Sequence, residues 1–361
     1  MDVESKMAVI RRAAGEILTE EGLRHMFETE EHPIMYDGFE PSGIAPIHFA
    51  LPFAANVNKM LGIGMRAKLY LADYFAFINN KVEGDIDKIR TVGMYFIEVW
   101  KGAGIDPSKV EIIWAKDLMQ NFSYWERVLK VGKAATLDRV KRAITIMGRK
   151  EGDSISAAQI FYPVMQANDI FDMDVSLCYM GMDQRKANVL AMEAADKYGW
   201  KKPVAAHRKL VLGLKGMPQG MDKAAMQDGG FEFKMSKSDP TSAIYVHDTY
   251  EQLKAKISGA YCPEKIVEGN PLLNYVDLII TRDSDAAIRI SRPEKFGGDI
   301  EFETYAELEK AYSEGKVHPL DLKAYVTDEL EKRIKPIREH FENDKAAAEL
   351  YEKVKTFKIT K

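Results

Sequence analysis

Cysteine is nearly missing from this chain: its 361 residues hold two, Cys178 and Cys262. Two isolated thiols, without CxxC or CxxH spacing, build neither a zinc site nor a disulfide framework. They fit a reduced, cytoplasmic protein, and no tightly bound metal is expected. Long apolar runs are missing too. Nothing approaches the ~20 apolar residues of a membrane span, and the polar start Met1-Asp2-Val3-Glu4-Ser5-Lys6 is followed by no secretory core. There is no basic surplus: 51 Lys and Arg stand against 55 Asp and Glu, a net charge of −4. That excludes a nucleic-acid binder working through overall charge, so contact with RNA requires local patches. Internal repeats, low-complexity tails and heptad runs are absent. What remains is an ordinary soluble composition, 46% hydrophobic and 29% charged, long enough for two domains.

Apolar periodicity comes next. Met7, Ile10, Ala14, Ile17, Leu18 and Leu23 recur near helical spacing, so residues 7–30 read as one amphipathic helix. Pro33-Ile34-Met35-Tyr36 is a strand that stops at the turn Gly38-Phe39-Glu40-Pro41-Ser42-Gly43. A helix starts near His48, its N-terminus facing that turn, where free N–H groups and the dipole bind anions. Strand 67–73, helix 85–102 and strand 110–114 repeat the pattern. The alternation predicts an α/β, Rossmann-like, doubly wound parallel sheet. Ligands bind beyond the carboxyl ends of such strands, where Tyr36, Asp73 and the turn 116–118 fall.

Residues 120–160 break the rhythm with helical, basic sequence from Arg127 to Lys150, a helical insertion between the halves of the sheet. By composition it is a solvated helix face. Tyr162, Gln166 and Asp169 follow at i, i+4 and i+7 on one helix face, with Pro163 suited to a first turn. Apolar neighbours Ile160, Phe161, Val164, Met165 and Ile170 leave little room for a wet stripe, so these polar groups point inward around a small polar ligand. Strand 175–180 runs into Gly181-Met182-Asp183-Gln184-Arg185-Lys186, which opens another helix, and 203–214 is the last strand. From Tyr250 onward the pattern is helical, a separate mainly α C-terminal domain in which Pro336 should kink a long helix.

One string stands apart: Lys234-Met235-Ser236-Lys237-Ser238. Two ammonium groups three residues apart, among small side chains, make a flexible loop able to close over a polyphosphate. Alone it would read as a solvated turn. With His48-Phe49-Ala50-Leu51 upstream, the chain resembles the class I aminoacyl-tRNA synthetases. The phrase from Tyr36 through Gly38-Phe39-Glu40-Pro41-Ser42-Gly43 is similar to that of the archaeal and eukaryotic tyrosyl-tRNA synthetases, and the likeness runs from about Pro33 to the C-terminus.

The resemblance implies a tyrosine–tRNA ligase acting on L-tyrosine, ATP with Mg²⁺, and tRNA(Tyr), as a homodimer. It assigns a helical segment to 1–32 and a catalytic domain to 33–240. That domain carries the insertion, which bears the dimer contact and part of the acceptor-stem surface, and the loop 234–238. A helical anticodon-binding domain takes 241–361. His48, Lys234 and Lys237 would stabilise phosphate charge. Gly38, Glu40 and Ser238 would join them around ATP. Tyr36 and Asp169 would hold the substrate phenol, and Tyr162, Gln166 and Gln184 its amino end. Arg185 and Lys186 would meet the first acceptor base pair, and Phe296, His318 and Asp321 the anticodon; by spacing alone Phe296 is a core aromatic and His318-Pro319 a helix start.

The chain departs from the family pattern in four places. Leu51 replaces the second motif histidine, two extra residues lie within Ile44-Ala45-Pro46, Phe75 replaces a frequent histidine, and the lead-in 215–233 is long. Two rivals remain: the tryptophan enzyme of the same fold, and a tRNA-binding paralogue without catalysis.

Overall fold

The computed structural model describes residues 1–148, 154–217, 233, 242–282 and 286–358. Lys234, Lys237 and Ser238, and most of the 215–233 lead-in, lie outside the described residues. The chain begins with α1 (Val3–Ala13), β1 (Glu16–Leu18) and α2 (Glu20–Thr29), so the single helix expected over 7–30 is two helices and a strand. Asp2 and Thr19 cap the helices with their side chains. Ile17 and Leu18 fit either period, and three residues are too few for periodicity to decide.

The central sheet follows: β2 (Ile34–Phe39), α3 (Ile47–Gly62), β3 (Arg66–Leu71), α4 (Asp73–Ile78), α5 (Ile86–Gly102) and β4 (Val110–Trp114). Then come α6 (Ala115–Met119), α7 (Phe122–Ala134), α8 (Leu137–Ala143), α9 (Ala157–Asp172), β5 (Leu177–Gly181), α10 (Arg185–Tyr198) and β6 (Val204–Arg208). The strand order is β1-β6-β5-β2-β3-β4. β2 to β6 run parallel, as the α/β reading expects, while β1 joins the β6 edge antiparallel, Glu16 opposite His207. The strand expected over 203–214 ends at Arg208.

Strand alternation sorts side chains to the two faces. Met35, Leu69, Leu177 and Tyr179 pack with α1, α2, α3 and α5. Tyr36, Tyr70, Cys178 and Met180 pack with α7, α9 and α10. α9 starts six residues before Pro163, behind a Ser156–Gln159 capping box, so the proline is buried inside the helix rather than in its first turn.

The remainder holds α11 (Tyr250–Ser258), α12 (Pro271–Tyr275), the hairpin pair β7 (Ile288–Ile290) and β8 (Ile300–Phe302), α13 (Tyr305–Ser313), α14 (Pro319–Asn343) and α15 (Lys345–Lys355). Its core gathers Leu253, Leu272, Tyr312, Leu322, Val326 and Leu330. α14 runs unbroken through Pro336, against the expected kink. Pro336 and Lys332, whose carbonyl loses its partner, are both exposed, so water can serve that carbonyl. The segment after the signature string is tied to the turn before His48: Ile47 N–H donates to the Ile244 carbonyl at 2.9 Å and Val246 N–H to that of Ala45 at 3.1 Å. Among the described residues no helix is long and apolar enough to cross a membrane.

Candidate active site

β2 leads away to β3 and β4, whereas β5 leads the other way to β6, so the strand order reverses between β2 and β5. A crevice at that reversal is the standing ligand site of open parallel sheets. A cavity of about 420 Å³ opens there, straddling the carboxyl edge, and its size suits a small-molecule ligand. His48, Gly38, Glu40, Tyr36, Tyr162, Gln166, Asp169 and Gln184 all line it. The described residues expected to act on small substrates therefore meet in one place.

One arm of the cavity lies against the Tyr36 face of the sheet. Tyr36 and Tyr70 stand on adjacent strands, their rings edge to face at 6.0 Å. Gly38 makes room for both: a Cβ there would sit 3.1 Å from the Tyr36 hydroxyl and 3.2 Å from the Tyr70 ring. Asp169 closes the arm. It is buried, and its Oδ1 accepts the Tyr124 hydroxyl at 2.8 Å. Burial pushes the Asp169 carboxyl up to about 8, against the lowering effect of the Tyr124 and Tyr70 hydroxyls. Edge-to-face contacts continue outward, with Phe75 against Tyr162 at 4.7 Å; the residue that replaces a histidine is an apolar wall here.

A polar bracket stands between this arm and the mouth. The Tyr162 hydroxyl donates to Glu40 Oε1 at 2.6 Å, and Asn79 Nδ2 donates to both Glu40 oxygens at 3.0 and 3.1 Å. Gln166 Nε2 donates to Gln184 Oε1 at 2.9 Å, while Gln184 Nε2 donates to the Ile146 carbonyl at 3.1 Å. These fixed amides and carboxylates can accept an ammonium group without reorganising.

The second arm lies against the opposite face. Buried Asp37 pairs there with the partly exposed Arg208, and the guanidinium rests over the Tyr179 ring, 5.0 Å from its centroid. Asn56 Nδ2 donates to the Tyr179 hydroxyl at 2.7 Å. Burial raises the Asp37 carboxyl to about 7 although Arg208 pulls it down. His48, the second residue of α3, lines this arm. Leu51 faces away from it and packs against two apolar cores.

The other expected residues lie apart. Arg185 starts α10 and its Nε donates to both Glu16 oxygens, at 3.1 and 2.9 Å. Lys186 is half-buried beside it. Phe296 is exposed on a short turn, with Lys295 Nζ 4.9 Å from its ring centroid, so it is not a core aromatic. His318 caps α14, its Nδ1 accepting Leu320 N–H at 3.2 Å, and Asp321 lies in the first turn of that helix. Asp73, expected near the ligand, is a tie instead: it accepts from Arg90 Nε at 3.0 Å and from the Lys116 amide at 3.2 Å. Sequence reasoning missed Tyr70, Tyr124, Asn79 and the Asp37–Arg208 pair. Strand alternation alone would have put Tyr70 on the Tyr36 face. Tyr124 carried no signal, since its partner is 45 residues away.

The model of the family described as tRNA synthetases class I (W and Y) matches residues 28–335. The chain belongs to this family. Within it, the chain is 40% identical to tyrosine–tRNA ligase 1, cytoplasmic, of Arabidopsis thaliana, covering 100% of this chain and 90% of that one. It is also 40% identical to the tyrosine–tRNA ligase of Pyrococcus abyssi, covering 98% and 99%. The crystal structure of the Pyrococcus horikoshii tyrosyl-tRNA synthetase complexed with L-tyrosine superposes with a TM-score of 0.90 at 37% identity, over 98% of this chain and all of that one. A class I synthetase of this group must seat an amino acid and a nucleotide side by side, and the two arms on opposite faces of one sheet edge offer two such seats.

Proposed function

We propose that the protein is a tyrosine–tRNA ligase, joining L-tyrosine to the 3′ end of tRNA(Tyr) through a tyrosyl-adenylate. The observation that carries the reading is the buried Asp169 at the blind end of an arm walled by tyrosine rings. A carboxylate there accepts a hydrogen bond from a phenol hydroxyl, and an arm built for that hydroxyl rejects phenylalanine because its own polar groups stay unpaired. The near-full-length likeness to tyrosine enzymes supports the same choice.

Tyrosine enters with its phenol against Asp169 and Tyr36. Its ammonium group lies in the bracket of Tyr162, Gln166 and Gln184. ATP, as its Mg²⁺ complex, occupies the arm beside Gly38, Glu40 and His48. The tyrosine carboxylate attacks the α-phosphorus, the bond to the bridging oxygen breaks, and pyrophosphate leaves. No enzyme nucleophile is needed, so positioning and stabilisation of phosphate charge carry the step. His48 and the loop lysines Lys234 and Lys237, with Ser238, meet that charge. A ribose hydroxyl of the tRNA terminus then attacks the adenylate carbonyl and AMP leaves. Arg185 and Lys186 face the acceptor stem, and Phe296, His318 and Asp321 in the 241–361 domain meet the anticodon, Phe296 by stacking on an unpaired base.

Tyrosine-dependent ATP–pyrophosphate exchange is the decisive assay. Exchange with tyrosine and charging of tRNA(Tyr) are expected. Exchange driven by tryptophan would select the sister enzyme, and exchange with neither would select a binding paralogue.

The homodimer belongs to the same reading. Phe122, Trp125 and Leu129 form an exposed stripe on α7, continued by Leu137 and Phe161. Spacing of i, i+3 and i+7 puts the first three on one face, and an apolar patch of this kind suits an isologous contact with a second copy. Light scattering is expected to give twice the 40.8 kDa chain mass, and Leu129→Glu to shift the mass to that of one chain; a dimer unchanged by Leu129→Glu would move the contact elsewhere.

A further inference from the structure

Two polar atoms at the blind end of the first arm have no hydrogen-bond partner among the described residues: Asp169 Oδ2 and the Tyr70 hydroxyl. Both belong to side chains that are almost wholly buried and line the cavity. Leaving such groups unpaired is costly, so paired vacancies of this kind call for a ligand or a water. The two lie close enough for the Tyr70 hydroxyl to favour charge on Asp169, without a bond that meets hydrogen-bond geometry. Asp169 Oδ1 is already committed to Tyr124. One vacancy is thus an acceptor, the carboxylate oxygen. The other is a hydroxyl free to donate.

We infer that Tyr70 is a specificity-determining residue: its hydroxyl donates to the phenol oxygen of bound tyrosine while that phenol donates to Asp169 Oδ2. The inference rests on the tyrosine-ligase reading and sharpens it. A phenol hydroxyl is donor and acceptor at once, so one group fills both vacancies. The indole N–H of tryptophan donates only and leaves Tyr70 unpaired. The ring of phenylalanine fills neither. Tyr70 thereby adds to Tyr36 a second hydroxyl that separates phenol from indole, which an aspartate acceptor alone does not do.

The ring of Tyr70 is held independently of its hydroxyl, by edge contacts to Tyr36 at 6.0 Å and Phe75 at 6.1 Å. Tyr70→Phe therefore removes the donor and keeps the packing. Calorimetric binding of tyrosine and phenylalanine to the full-length protein, with and without Tyr70→Phe, tests the assignment. Tyrosine affinity is expected to fall roughly ten-fold, the size of a lost buried hydrogen bond, while phenylalanine binds no worse and ATP is unaffected. Equal weakening of both amino acids would mean the hydroxyl acts only through the fold, and unchanged tyrosine binding would mean it makes no contact; either overturns the inference. If the unaltered protein binds no tyrosine, the ligase reading falls, and this assignment with it. A ligand series needs no variant: 4-aminophenylalanine, whose nitrogen donates well and accepts poorly, is expected to bind roughly ten-fold less tightly than tyrosine, and equal binding would count against a Tyr70 donor.

Discussion

Asp169→Asn is expected to cut kcat/KM for tyrosine by roughly a hundred- to a thousand-fold while KM for ATP moves less than about three-fold. Oδ1 of the carboxylate is held by Tyr124 at 2.8 Å, which fixes where the second oxygen points. The amide keeps the shape and the bond from Tyr124, but puts a donor where the phenol must donate. Two donors then oppose each other in a buried arm, and neither can turn to water. The nucleotide arm lies on the other face of the sheet and loses nothing. Exchange kinetics at varied tyrosine and varied ATP separate the two; equal losses for both substrates would place Asp169 outside the phenol seat.

The same substitution has an opposite effect on the free protein. A carboxyl near 8 when folded, against 3.8 in the unfolded chain, holds its proton more tightly when folded. Folding stability from this group is therefore greatest below about pH 4. It falls as pH rises through the interval and is lost by about pH 8. The amide does not titrate, so Asp169→Asn is expected to melt at a higher temperature than the parent at pH 8, with the gap closing as pH falls. The site holds a destabilising group because its acceptor is needed, and binding of a phenol is expected to favour the ionised form.

What the sequence carried and what it did not divide along physical lines. Tyr162, Gln166 and Asp169 were legible because helical spacing plus apolar neighbours forces a polar stripe inward. The sheet was legible because strand and helix periods alternate over long segments. β1 was not, since three residues at an edge gain their conformation from pairing with β6, which is distant in the chain. Pro163 and Pro336 both sit inside helices against local preference: tertiary burial holds the first, and an exposed carbonyl tolerates the second. Tyr124 and Arg208 were invisible for the same reason as β1, because each matters only through a partner brought up by folding.

Arg208→Met is expected to cost about 3 kcal/mol of stability at pH 8, the low end for breaking a buried ion pair, since the Arg208 side chain is partly exposed. The loss comes less from the missing attraction than from Asp37, left ionised in the sheet with its counter-charge gone. Asp37 has an escape that Arg208 lacks. Its carboxyl sits near 7 even with the guanidinium present, and without it would sit higher, so at pH 6 it takes up a proton and the penalty shrinks. A guanidinium cannot shed its charge in this range. The amide does not titrate, whereas the parent carboxyl near 7 takes up a proton between pH 8 and pH 6, so Asp37→Asn should destabilise more at pH 6 than at pH 8, opposite in trend to Arg208→Met. Removing both charges together leaves neither ion stranded, and the double variant is expected to be more stable than either single one. Denaturant unfolding at the two pH values reads all four corners of the cycle. Simple additivity at pH 8 would show that the two groups do not act as a pair. A pH-independent Arg208→Met penalty would show that the Asp37 proton is not what relieves it.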